Sequence, residues 1–139
     1  NVEAANLAAS IENAPPRLAT YHALALARLG RLDDARRVPG TAPTGDATAR
    51  ALFDAARLRA ALGDAPQSLA LLRTSFEKTP APALPYARER AKTSPDLAVL
   101  TGLPAFTEVL RTDSKVKQTC SGGSSCSSCP NRGACGGGK

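Results

Sequence analysis

Tryptophan and methionine are absent from this chain, histidine occurs once, and aromatic residues make up only 4% of it. Val and Ile are few beside Ala, Leu and Arg. A sheet core of β-branched and aromatic side chains has little to draw on, while good helix formers dominate. An all-α protein is expected. Cysteine is missing from the first 119 residues. No apolar run approaches the ~18 residues that a membrane span requires, so no span is expected in this segment. The chain does not start with Met, and no signal-peptide pattern follows Asn1. That suits a processed product or a piece of a longer protein, and leaves the compartment open.

What is present divides in two. The 139 residues fit one domain of ordinary size. The last stretch, with CSGGSSCSSCPNRGACGGGK at its end, has almost nothing apolar to bury. Residues 1–112 are therefore expected to form a helical domain, and residues 113–139 a flexible Gly/Ser/Cys-rich tail. Without a bound metal this tail has too little apolar surface to offset chain entropy. The net charge of +6 is concentrated there. Residues 111–139 hold Arg111, Lys115, Lys117, Arg132 and Lys139 against Asp113, which leaves only +2 for the body. In the body, arginines and acids are interspersed, as in RLDDARR and RER, and no aromatic set interleaves with them to stack bases. Solvated helix faces account for this pattern, and no nucleic-acid partner is expected.

Along the chain, residues 2–13 carry a loose helical stripe (Val2, Ala5, Ala9, Ile11) broken by Asn13-Ala-Pro-Pro16. A second helix covers 17–29, with Gly30 in a C-cap position. A third starts near Arg31, with Asp33 and Asp34 in its first turn, where the helix dipole favours them. After a Pro/Gly loop over 39–45, Asp46 is the expected cap of a helix over 47–62 closed by Gly63. Asp64 caps the next, over 65–78, with Pro66 in its first turn and a stripe of Leu69, Leu72 and Phe76. Helices are expected over 83–93 and over AFTEVLR near 105–111, with a turn of helix at DLAVL between them.

This order contains a repeat. ALARLGRLDDA (25–35) aligns with RAALGDAPQSLA (59–70); Leu29-Gly30 and Leu62-Gly63 lie 33 residues apart, and Ala35 and Leu69 lie 34 apart. A helix–turn–helix unit of this period cannot cover its own apolar face, so neighbours stack into a solenoid. The run Leu-Gly-Arg-Leu-Asp-Asp-Ala at 29–35 resembles the inter-helix turn of tetratricopeptide repeats, with Leu62-Gly-Asp-Ala65 as a poorer copy. TSPDLAVLTGLPAFTEVL (93–110) resembles the module that ends such arrays in bacterial proteins, with Ser94, Thr101 and Ala105 departing from its pattern. The resemblance spans roughly residues 17–110. It implies a tetratricopeptide-like α-solenoid of about three antiparallel helix pairs, and a concave surface that takes a protein partner.

The body offers little for catalysis. His22 is alone in the middle of a helix. Asp33 and Asp34 are adjacent and so point in different directions. Glu89 lies between two arginines, in a cluster expected to be exposed. PGTAPTG has no following Lys-Ser/Thr, so no phosphate loop is present. An enzyme is not expected.

The four cysteines, Cys120, Cys126, Cys129 and Cys135, are spaced C-x5-C-x2-C-x5-C. Gly122, Gly123 and Gly133 permit tight wrapping, so four thiolates in this segment can converge on one ion or cluster. Arg132 and the flanking lysines would offset the resulting negative charge and lower the thiol pKa. Zinc held by four thiolates is chemically easy. Disulfides, with three possible pairings, or modification of the tail are the alternatives. CSGGSSCSSC (120–129) resembles the cluster-binding loop of [2Fe–2S] ferredoxins, in the C-x5-C-x2-C spacing of the adrenodoxin-like members. It lacks their surrounding β-grasp domain. This resemblance implies an Fe–S cluster ahead of zinc, with all four cysteines as ligands and electron or metal transfer to a docked partner. A metal-binding tail would suit the cytoplasm.

Overall fold

The computed structural model describes residues 15–117. They form helices α1 (Pro16–Arg28), α2 (Leu32–Arg37), α3 (Ala49–Ala61), α4 (Ala65–Lys78), α5 (Leu84–Thr93) and α6 (Pro104–Leu110). Two 3₁₀ turns, Ala81–Ala83 and Pro95–Leu100, lead into α5 and α6. No strand occurs among the described residues. The chain is all-helical over this range, as its composition requires. The helix expected over 2–13 lies outside the described residues.

The boundaries follow local chemistry. Proline opens α1, α6 and the Pro95–Leu100 turn, where its missing N–H costs nothing. Asp64 caps α4 as expected, its Oδ1 accepting from the Gln67 N–H at 3.3 Å. At α3 the expected cap moves by two residues. Thr48 takes the extended conformation, and its Oγ1 accepts from the Ala51 N–H at 3.2 Å. Asp46 instead accepts a hydrogen bond from Thr44 Oγ1 at 2.5 Å. That bond, together with one to its own backbone, holds the Asp46 carboxyl below its ordinary value. Thr48→Ala is therefore expected to cost about 1 kcal/mol of stability, and Asp46→Ala less, measured by thermal unfolding.

Two turns are built alike. α1 ends with Gly30 at φ 77° and α3 with Gly63 at φ 83°. The Gly30 N–H bonds to Ala27 O and the Arg31 N–H to Leu26 O; the Gly63 N–H bonds to Ala60 O and the Asp64 N–H to Arg59 O. Each is a Schellman closure, which requires a residue in the left-handed region. The two glycines are 33 positions apart, so the sequence period is also a period of backbone geometry.

α3 is the central element. One side, with Phe53, Ala56 and Ala60, joins Leu72 and Phe76 of α4, Leu84 and Ala91 of α5, and Leu97, Leu100, Phe106 and Val109 in the larger core. The other side, with Leu58, packs with Ala19, Ala23, Leu24, Ala27 and Ala35 in a smaller one. The alanines of α1 let its backbone approach closely. Of the expected α4 stripe, Leu72 and Phe76 are fully buried and Leu69 is half-buried. Two serines complete that face. Ser68 Oγ donates to Ala56 O at 2.7 Å, and Ser75 Oγ to Ala49 O at 2.6 Å. Both pairs repeat at seven residues, two helical turns, and tie α4 to α3 along its length.

After α6 the chain runs back toward the end of α4. The Lys115 N–H donates to Glu77 O at 2.8 Å, and its Nζ lies 2.9 Å from Glu77 Oε1. Arg88 Nη2 donates to Thr112 O at 3.1 Å.

Candidate functional site

Polar side chains of α1 and α3 meet between the two helices, and Arg90 of α5 reaches α3 beside them. On α3, Arg50, Asp54 and Arg57 follow at helical spacing and share one side. Tyr21 of α1 reaches across, its hydroxyl donating to Asp54 Oδ2 at 3.1 Å. Tyr21 and Asp54 are separated by 33 positions, the repeat period, so equivalent positions of adjacent units stand side by side. Arg17 stacks over the Tyr21 ring, 5.6 Å from its centre, and Arg17 Nη2 donates to the Tyr21 hydroxyl at 3.4 Å. On the other flank, the guanidinium of Arg90 lies over the Phe53 ring at 4.7 Å. Tyr86, one turn before Arg90 on α5, is 72% exposed.

From Asp54 runs a chain of charges that is buried except at Arg28. Asp54 is only 2% exposed and accepts from Arg57 Nη1 at 3.3 Å. Arg57 continues to Asp96 Oδ2, with Nε at 3.0 Å and Nη2 at 2.8 Å. Arg28 closes on the same carboxylate from α1, Nε to Oδ1 at 2.9 Å and Nη2 to Oδ2 at 2.7 Å. The Asp96 side chain is 5% exposed. Burial works against its charge, but the hydrogen bonds from Arg28 and Arg57, and their positive charges, outweigh it and hold the carboxyl below its ordinary value. This network joins α1 and α3 to the Pro95–Leu100 turn, elements 39 to 68 residues apart in the chain.

Elsewhere on the surface most acids pair locally with a base. Asp33 pairs with Arg36, Asp34 with Arg31, Glu77 with Lys115, Glu89 with Lys92, Glu108 with Arg111 and Asp113 with Arg88. Among the described residues, Arg17, Arg50, Arg59, Arg73, Lys78, Arg90 and Lys117 have no carboxylate within salt-bridge distance. Where α1 and α3 begin, an apolar cavity of about 460 Å³ opens between Pro16, Arg17, Thr20, Pro43, Ala51 and Asp54.

The residues singled out in the sequence lie elsewhere. His22 is exposed on α1, Asp33 and Asp34 sit in ion pairs on α2, and Glu89 is exposed with Lys92 as its partner. Cys120, Cys126, Cys129 and Cys135 lie outside the described residues. Among those described, no three His, Cys, Asp or Glu side chains come together as a metal site. None of the described helices is long and apolar enough to cross a membrane. Sequence reasoning missed the Tyr21–Asp54–Arg57–Asp96–Arg28 network. The 33-residue offset could have revealed its Tyr21–Asp54 link, but the meeting of Arg28 and Arg57 on Asp96 has no local signal. No protein-family model, curated protein or solved structure matches this chain.

Proposed function

We propose that the chain is a non-catalytic protein-interaction module, its helices stacked as a tetratricopeptide-like solenoid of about three antiparallel pairs, with a four-cysteine tail that binds a metal centre. The observation that carries the scaffold reading is the pair of matching Gly30 and Gly63 closures, 33 residues apart, each joining two helices. The first helices of these pairs are locked together by the Tyr21–Asp54–Arg57–Asp96–Arg28 network, with Arg17 stacked on Tyr21 at its edge. Such a rigid surface suits docking, because little side-chain freedom is lost on binding. A partner docked there would receive electrons or metal from the tail.

The tail reading rests on the C-x5-C-x2-C-x5-C spacing alone. The four thiolates would hold an Fe–S cluster, or zinc in its place, and the surrounding basic residues would offset the charge. Anaerobic purification followed by absorption spectroscopy and elemental analysis tests it, with a chain ending at Lys117 as the control. Lys117 is the right end point because Lys115 is bonded to Glu77 of α4. Iron with sulfide, or zinc, is expected in the full chain and absent from the shortened one. Colourless, metal-free protein with four freely titratable thiols would sink the metal centre. An intact mass lower by two hydrogens per disulfide, or raised by an added group, would make the tail a covalent anchor instead.

The module itself is tested by photo-crosslinking from a benzophenone side chain placed at position 86. A single protein crosslinked there, and not from position 73 on the exposed side of α4, is the expected outcome.

A further inference from the structure

One side of α1 is buried, with Ala19, Ala23, Leu24 and Ala27 in the smaller core beside Ala35 and Leu58. Another side is bare. Leu18, His22, Ala25 and Leu29 follow at steps of four, three and four residues, which places them on one line along the helix. All four are exposed, Leu18 to 62% and Leu29 to 74%. Whatever the module binds, we propose that this line seats residues 2–13 of the same chain, folded back on α1 as an antiparallel helix.

The connection requires close neighbours. Pro16 opens α1, and Pro15 before it is extended, at φ −51° and ψ 142°. A residue that precedes proline is pushed out of the helical region, so a helix over 2–13 has to stop at Asn13 or Ala14. A link of two or three residues suits an antiparallel helix hairpin. The lengths agree as well: twelve helical residues span ~18 Å and the 13 of α1 ~20 Å.

The side-chain patterns are mirror images. In the segment, Ala4, Leu7, Ala8 and Ile11 recur at i, i+3, i+4 and i+7, a fuller stripe than Val2, Ala5 and Ala9 make. Glu3, Asn6, Ser10 and Asn13 take a separate side. Going back from the link, Ile11, Leu7 and Ala4 step by four and three. Going forward, Leu18, His22 and Ala25 step by four and three. Folding at Asn13–Pro15 sets Ile11 level with Leu18, Leu7 with His22 and Ala4 with Ala25. Large residues meet near the link and small ones at the far end. A second copy would have to compete with a tethered segment whose effective concentration is on the order of millimolar.

Ile11 is the only isoleucine of the chain, so an isoleucine methyl label gives one NMR signal in the full protein. A nuclear Overhauser contact between the Ile11 and Leu18 methyls is expected. The backbone amides of residues 5–11 are expected to exchange with solvent at least about tenfold slower than in a free peptide of residues 1–14. Leu18→Asp is expected to abolish both, and to leave the rest of the spectrum in place because Leu18 is outside the core. Ile11→Asp, which changes nothing in α1, is expected to do the same and keeps the test sound if Leu18→Asp disturbs the body.

Exchange at the free-peptide rate, or no contact between Ile11 and Leu18, overturns the proposal. So does protection that persists in both variants, which would seat the segment elsewhere. A contact seen only between copies, in a mixture of isoleucine-labelled and leucine-labelled protein, assigns the line to a second copy and overturns it too. None of these outcomes decides the interaction module, which stands or falls by the crosslink at position 86.

Discussion

Phe76→Ala is expected to remove about 3–5 kcal/mol of folding stability. The ring is fully buried in the larger core, among side chains of α3, α5, α6 and the Pro95–Leu100 turn. Four other elements contribute to this core, so relaxation to fill the space would have to move several backbones at once. A domain of about a hundred residues has roughly 5–15 kcal/mol in all, and each kcal/mol is worth about 4–8 °C in Tm. The variant is therefore expected to melt at least about 12 °C lower and to stand close to unfolding at physiological temperature. Val99→Ala, at a position 67% exposed, is the control and is expected to stay within about 0.5 kcal/mol. Urea titration of the three proteins measures this. A loss under 1 kcal/mol for Phe76→Ala would mean that the α4–α6 core is not packed as described.

Asp96→Asn has the second large effect, and a pH signature of its own. One carboxylate there serves two guanidiniums. Removing its charge leaves Arg57, which is largely buried, with Asp54 as its remaining counter-ion at a longer 3.3 Å. Breaking a buried pair from one side costs about 3–5 kcal/mol. Arg28 is half exposed, so water takes over part of the loss, and about 2–4 kcal/mol is expected. The folded carboxyl lies below its ordinary value, which is ~3.9 in an unfolded chain. Its contribution is thus complete above about pH 4 and disappears as pH falls through the lower, folded value. The stability gap between the natural chain and Asp96→Asn is expected to be widest at neutral pH and to close in acid. Urea midpoints at pH 7 and near pH 2.5 check both parts. A gap that stays constant across this range would assign the loss to packing rather than to charge.

These two residues also mark how far the sequence could be read. Phe76 belongs to a stripe at helical spacing, and its burial follows from that period alone. Asp96 was expected only to open the DLAVL turn of helix. Its side chain instead turns inward to arginines that lie 68 and 39 positions earlier. Nothing local announces such a meeting, because a salt bridge between distant segments depends on how the helices cross. The Asp46 cap failed for a smaller reason: Thr44 offered its hydroxyl to the carboxylate, and Thr48, two residues on, was free to serve the helix. Asp33 and Asp34 stand in the first turn of α2, and Glu89 is exposed, as expected. The four cysteines were legible only as a spacing.

By itself the sequence determined the helical class, the punctuation at Gly30, Gly63 and Asp64, and the period of 33. These are local matters. Propensity, the left-handed turn that glycine permits and a side chain capping its own helix act within a few residues. Tertiary structure alone decided that Tyr21 would rest on Asp54 and that one carboxylate would hold three elements together. Those outcomes depend on the docking of helices against one another, where energies of a few kcal/mol come from groups that the chain order keeps far apart.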